Sequence, residues 1–73
     1  MELVEIEVNP NPIGDEYMAQ AFFEWNGQEW EMTVKAGSPD EAKALAETQS
    51  AAYLSEWGAD SAAANQKYSV YMF

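Results

Sequence analysis

Carboxylates are the main reactive groups of this chain. Its 73 residues contain thirteen Asp and Glu against three Lys, with a formal net charge of -10 and no His or Cys. The bases, nucleophiles and soft metal ligands that enzymes use most are therefore missing. The sequence also lacks a D-x-D-x-D-G calcium loop. We expect a protein that is not an enzyme and that needs no cofactor or metal.

The acidic excess indicates which partners to expect. Self-repulsion destabilises a compact state with this charge, whereas a basic surface on another protein would be attracted to it. The same charge opposes binding to nucleic acid and to anionic lipid. The N-terminus is acidic, and no apolar run approaches the roughly 18 residues of a membrane helix. We therefore expect one cytoplasmic domain over residues 1–73, complete in itself.

A first strand is predicted at residues 3–8, where apolar and acidic residues alternate. Two prolines within residues 9–15 then predict a loop. Strict alternation places Val4, Ile6 and Val8 on one face of the strand, and Leu3, Glu5 and Glu7 on the other.

Asn26-Gly27 predicts a two-residue hairpin turn between strands at residues 17–25 and 28–36. This turn pairs Trp25 with Gln28 and fixes every later pair. The register places one apolar set on a single face, so pattern and turn agree. That set is Tyr17, Ala19, Ala21, Phe23, Trp30, Met32, Val34 and Ala36.

Ser38-Pro39-Asp40-Glu41 predicts the start of a helix, with Ser38 as the N-cap. The helix is predicted to end near Trp57, with Gly58 just beyond it as the terminating glycine. Its buried stripe is expected to comprise Ala42, Leu45, Ala46, Gln49, Tyr53 and Trp57.

Two interpretations fit residues 59–66, namely a short helix capped by Asp60 or a loop. A last strand is predicted at residues 68–73, with Tyr71 and Phe73 on one face. The order β-β-β-α-β predicts an α+β fold, a mostly antiparallel four-stranded sheet with one helix on one face. A right-handed crossover would make the last strand parallel to the third strand. We expect it to lie beside the first strand, which gives the spatial order 3-2-1-4.

The uncovered sheet face is the candidate interaction surface. The hairpin register places Glu24 opposite Glu29, and like charges in such a pair cost about 0.2 to 1 kcal/mol. Apolar side chains, Leu3 and Tyr71 among them, are expected nearby. The alternative is that these glutamates only keep the protein soluble. The predicted partner-binding residues are Glu5, Glu7, Phe22, Glu24, Glu29 and Glu31.

Residues 17–58 combine an amphipathic hairpin, the segment Ala36-Gly37-Ser38, an alanine-rich helix and Trp57-Gly58. In this layout, and in its size and acidity, the chain resembles the small acidic anti-CRISPR proteins that phages and mobile elements encode against type I CRISPR systems. The resemblance implies inhibition of a crRNA-guided surveillance complex of the Cascade type. Such inhibition often occurs at the basic surface where target DNA docks.

Two functions of different classes follow. The first is a monomeric, non-catalytic inhibitor that presents an acidic, DNA-like surface to a bacterial defence complex in the host cytoplasm. The second is a small structural or scaffolding protein that self-associates through an edge strand or exposed aromatic side chains.

Overall fold

The computed structural model describes residues 1–11 and 13–72. The strands are β1 (Glu2–Pro10), β2 (Tyr17–Trp25), β3 (Gln28–Ala36) and β4 (Tyr71–Met72), and the helices are α1 (Pro39–Ala59) and α2 (Ser61–Lys67). The four strands form one antiparallel sheet in the order β1-β2-β3-β4, and α1 packs on one face of it. The predicted α+β fold is confirmed.

The β2–β3 hairpin has the predicted register over its whole length, from Trp25 opposite Gln28 to Tyr17 opposite Ala36. Asn26 and Gly27 have φ angles of 55° and 78°, the left-handed values that this tight turn requires. The predicted apolar set lies on the helix-covered face, where Ala19, Ala21 and Phe23 are completely buried.

β1 departs from the predicted alternation. Its pairing with β2 shifts between Leu3 and Glu5, so that Val4 is an extra residue with no partner opposite. Leu3 therefore lies opposite Phe23 on the helix-covered face, and Val4 is 57% exposed. The predicted faces of Leu3 and Val4 were wrong, whereas Ile6 and Val8 have the predicted orientation.

α1 begins as predicted, with the Ser38 hydroxyl accepting a 3.2 Å hydrogen bond from the Glu41 backbone N–H. It continues past Trp57, so the prediction that Gly58 terminates it was wrong. Instead, Asp60 ends α1 with extended backbone, and its side chain caps α2 by accepting from the Ala63 N–H. The short-helix interpretation of residues 59–66 is thereby confirmed.

The buried stripe of α1 consists of Ala42, Ala46, Ser50 and Tyr53. Leu45, which was predicted to be in it, is 36% exposed, whereas Ser50 is buried. Tyr53 packs edge to face on Phe23 at a 5.0 Å ring-centroid distance. Small residues at the other stripe positions allow α1 to approach the sheet closely.

The last strand is shorter than the predicted residues 68–73, and it lies beside β3 rather than beside β1. Tyr68 caps α2 and Ser69 has a φ of 53°, so within the part of the chain that the structure describes, pairing with β3 is confined to Tyr71 and Met72. β4 is antiparallel to β3 and lies beside it, contrary to the predicted order, because α2 reverses the chain before β4 begins. The predicted position of Phe73 is outside the described residues.

We expect Gly58→Ala to stabilise the protein by about 0.5 to 1 kcal/mol, because glycine within a helix is less favourable than alanine by this amount. Gly58 is helical, and an added Cβ would meet nothing within 4 Å. The melting temperature should rise by roughly 2 to 8 °C. The control is Gly27→Ala, which should lower it because φ is +78° there. A lower melting temperature for Gly58→Ala would show that this glycine is required.

Candidate partner-binding surface

Glutamates accumulate on the sheet face that α1 leaves uncovered. Glu24 lies opposite Glu29 as predicted, and Glu2 lies on the other side of Glu24. Three carboxylates therefore follow one another across β1, β2 and β3, with about 4.8 Å between neighbouring strands. We call the exposed set on this surface the acidic face; it consists of Glu2, Glu5, Glu7, Glu24 and Glu29.

The bulge in β1 adds Glu2 to this surface. In a regular strand Glu2 would share a face with Val4 and Ile6, on the helix-covered side. The extra residue at Val4 reverses the alternation of everything before it. The sequence carries a signal for this bulge, because Leu3 and Val4 are consecutive apolar residues in an otherwise alternating strand.

The structure places Glu31 differently from the other predicted glutamates. It is on the uncovered face, but it is only 6% exposed and accepts a hydrogen bond from the Gln20 side-chain amide. Its cross-strand neighbours are Phe22 and Tyr71, whose rings flank it. Glu31 is therefore buried on the uncovered face, contrary to the expectation that it belongs to an exposed row of glutamates.

The charge of Glu31, together with partial desolvation and a hydrogen bond between the two side chains, raises the pKa of Tyr71 above its usual value. Tyr71 is therefore a neutral hydrogen-bond donor at physiological pH. Its ring is 52% exposed. Tyr71 gives this surface an aromatic group that sequence reasoning placed nearby but did not include among the binding residues.

No protein-family model, curated protein or solved structure matches this chain significantly. The placement of the side chains therefore carries the functional argument.

The centre and the margin of this surface differ in polarity. Phe22 is half-buried between Glu5 and Glu31, and Met18 is half-buried further along β2. The exposed glutamates lie on two sides of Phe22, on β1 and towards the hairpin turn. An apolar centre with a polar rim is the usual anatomy of protein interfaces.

Basic side chains contribute little to this surface. The salt bridge found among the described residues joins Lys67 to Glu56, 2.8 Å apart, on the helical side of the protein. The hydrogen bonds from Lys67 and Tyr68 lower the pKa of Glu56. Lys35 is on the uncovered face, but it is six residues from Glu29 along β3, about 20 Å away. Among the described residues, no glutamate of the acidic face takes part in a salt bridge.

The carboxylates of the acidic face are spread out rather than convergent. Within the described ranges, no group of three or more acidic side chains has a geometry that would hold a metal ion. Nor does any helix there have the length and apolar character needed to cross a bilayer. Separate contacts with several cationic groups suit this arrangement better than one ion does.

Proposed function

We propose that this protein is a non-catalytic inhibitor of a bacterial DNA-binding defence complex, with a type I CRISPR surveillance complex as the leading target. It acts in the host cytoplasm as a monomer. The acidic face occupies a lysine- and arginine-rich groove that otherwise holds target DNA. One observation carries this proposal, namely five exposed glutamates on a single uncovered sheet face that form no salt bridge among the described residues.

The spacing of the carboxylates supports mimicry of a nucleic acid. Strand geometry places five charges within roughly 10 by 15 Å. Duplex DNA carries one charge per roughly 1.7 Å of its axis, which is about nine charges over 15 Å. The acidic face has about half that density. A groove built for phosphates would therefore meet a partial mimic, whose binding should weaken as salt rises.

The apolar side chains of this surface supply desolvated contacts, which charged side chains alone do not provide. Phe22 and Tyr71 flank the buried Glu31, so aromatic surface is available for desolvated contact beside the glutamates of the acidic face. Aromatic groups at the centre of an interface often contribute most of its binding energy. Charge would steer the encounter, and these rings would slow dissociation.

The rival scaffolding function has two supporting observations, namely the exposed aromatic residues Trp25 and Tyr71 and the edge strand β1. β1 is an edge strand, and Leu3 and Val4 are exposed on it. However, pairing of two β1 strands would bring their glutamates close together, and the bulge interrupts the edge. These features protect an edge against self-association, so we favour the inhibitor.

Displacement of DNA tests the proposal. A labelled target duplex is bound to purified type I surveillance complexes of several subtypes, and the protein is titrated in. We expect release of the duplex from at least one complex, with the effective affinity falling at least tenfold between 50 and 500 mM salt.

Analytical ultracentrifugation tests the rival function in parallel. A monomer that displaces the duplex in a salt-dependent way supports inhibition. A stable dimer that is insensitive to salt and leaves every duplex bound would contradict it and support scaffolding.

A further inference from the structure

A second surface lies on the helical side of the sheet, at the hairpin end. A pocket of about 370 Å³ opens there between the hairpin, the end of α1 and the start of α2. Trp25, Trp30 and Trp57 line it, and these are the three tryptophans of the chain. Its volume is within the range of small-ligand sites.

The arrangement of the rings leaves stacking surface open. Trp25 and Trp57 meet edge to face at a centroid distance of 5.3 Å and an interplanar angle of 66°. Trp25 is nevertheless 44% exposed. Burial in the core therefore does not account for the position of this large ring.

Trp30 contributes an unsatisfied donor. Its indole N–H is buried and has no hydrogen-bond partner among the described residues. An unpaired buried donor is unfavourable, and an acceptor on a ligand would remove this penalty. Because an indole can only donate, the ligand must bring an oxygen or another acceptor.

The electrostatics favour a cation over an anion. The pocket-lining residues carry no charged side chain, but the molecule has a net charge of -10. Glu24 and Glu29 are on the opposite face of the hairpin, and Glu56 is paired with Lys67, so the negative charge acts on the pocket at long range. A cation over an indole face is attracted by the ring quadrupole, and this field adds to the attraction.

We propose that this tryptophan pocket binds an arginine side chain of the basic partner. The planar guanidinium stacks on the exposed indole of Trp25, which a compact ammonium does less well. The backbone carbonyl of the same partner segment accepts from the Trp30 indole N–H. This inference rests on the proposed function for the source of the arginine. One docked protein would contact both the pocket and the acidic face around the hairpin end.

Titration with capped arginine, N-acetyl-arginine amide, tests the pocket alone. Each indole N–H gives one cross-peak in a nitrogen–proton NMR spectrum, so all three peaks report on this site. We expect saturable shifts, with the Trp30 indole proton moving downfield as it gains an acceptor. N-acetyl-citrulline amide has nearly the same shape without the charge, and it should bind at least threefold more weakly, as loss of the cation–ring attraction predicts.

Trp25→Leu is the variant, and Val4→Ala, on the exposed β1 bulge, is its control. Trp25→Leu should abolish saturation while the Trp30 and Trp57 peaks remain dispersed, which shows an intact fold. Val4→Ala should bind as the original protein does. Equal binding of citrulline and arginine, or no saturable shift up to about 100 mM, would overturn the inference.

The pocket and the proposed function fail separately. Arginine binding without displacement of any duplex would contradict the inhibitor and leave the pocket standing. Duplex displacement without arginine binding would contradict the arginine pocket and leave the inhibitor function standing.

Discussion

Tyr53→Ala is expected to lower the free energy of unfolding by about 3 to 5 kcal/mol at 25 °C. Tyr53 is completely buried, and its ring contacts Phe23 at 5.0 Å and Tyr68 at 5.9 Å. Truncation of a buried aromatic side chain to alanine costs about 3 to 5 kcal/mol. At about 0.05 to 0.15 kcal/mol per residue, a chain of this length has roughly 4 to 11 kcal/mol in total. One substitution therefore removes a large part of its stability.

Tyr53→Phe is the matched control, since it keeps the ring and removes the hydroxyl. That hydroxyl donates a 2.6 Å hydrogen bond to Asn65 Oδ1 and so joins α1 to α2. The loss should cost about 0.5 to 1.5 kcal/mol. Urea unfolding followed by circular dichroism measures both variants. If Tyr53→Ala unfolded at nearly the same urea concentration as the original protein, Tyr53 would not be the centre of the core.

Burial raises the pKa of the Tyr53 phenol above 10.0. The folded state therefore holds this proton more tightly than the unfolded chain does. The stability from this group is complete below about pH 10 and falls as pH rises beyond it. The hydrogen bond to Asn65 is thus maintained at physiological pH.

The hairpin could be predicted from sequence because two independent signals agreed. Asn26-Gly27 fixed the pairing, and the apolar alternation required the same pairing. The capped start of α1 was predictable for the same reason, since Ser38 and Pro39 each mark that position. The end of α1 was predicted from Gly58 alone, and that prediction was wrong, because the helix continues through Gly58 and ends at Asp60.

β4 could not be placed because its position depends on a tertiary arrangement. A chain that leaves α1 directly would run parallel to β3. The chain reverses direction because α2 lies between α1 and β4. Asp60 caps α2, and the hydrogen bond between Tyr53 and Asn65 joins α2 to α1. That bond joins residues twelve apart in sequence and has no periodic signature.

The candidate site was predicted in part. Glu5, Glu7, Glu24 and Glu29 lie exposed on the uncovered face as expected, whereas Glu31 is buried. Its burial requires Tyr71 on one side and Phe22 on the other, and Tyr71 arrives there only because β4 pairs with β3. An error in strand order therefore became an error in the exposure of one residue. The role of these glutamates in partner binding stays a prediction.

Replacement of all five acidic-face glutamates by glutamine is expected to weaken binding to the target complex about 60-fold. An exposed ion pair contributes roughly 0.5 kcal/mol, and five such pairs give about 2.5 kcal/mol. Glutamine keeps the size and polarity of each side chain, so the change isolates charge. Binding at 50 mM salt, measured by duplex displacement, should show the loss, and it should shrink at 500 mM as screening removes the same contribution.

A charge-matched control variant distinguishes the effect of the acidic face on binding from the effect of the total net charge. Amide substitution of five other exposed acids changes the charge equally, from -10 to -5, away from the uncovered sheet face. This control should weaken binding less than threefold, because only long-range steering changes. Circular dichroism confirms that both variants are folded. Equal losses in the two variants would mean that total charge governs binding, and the acidic face would then have no special role. The five control positions are Asp15, Asp40, Glu41, Glu47 and Asp60, where asparagine at position 60 keeps an N-cap oxygen for α2.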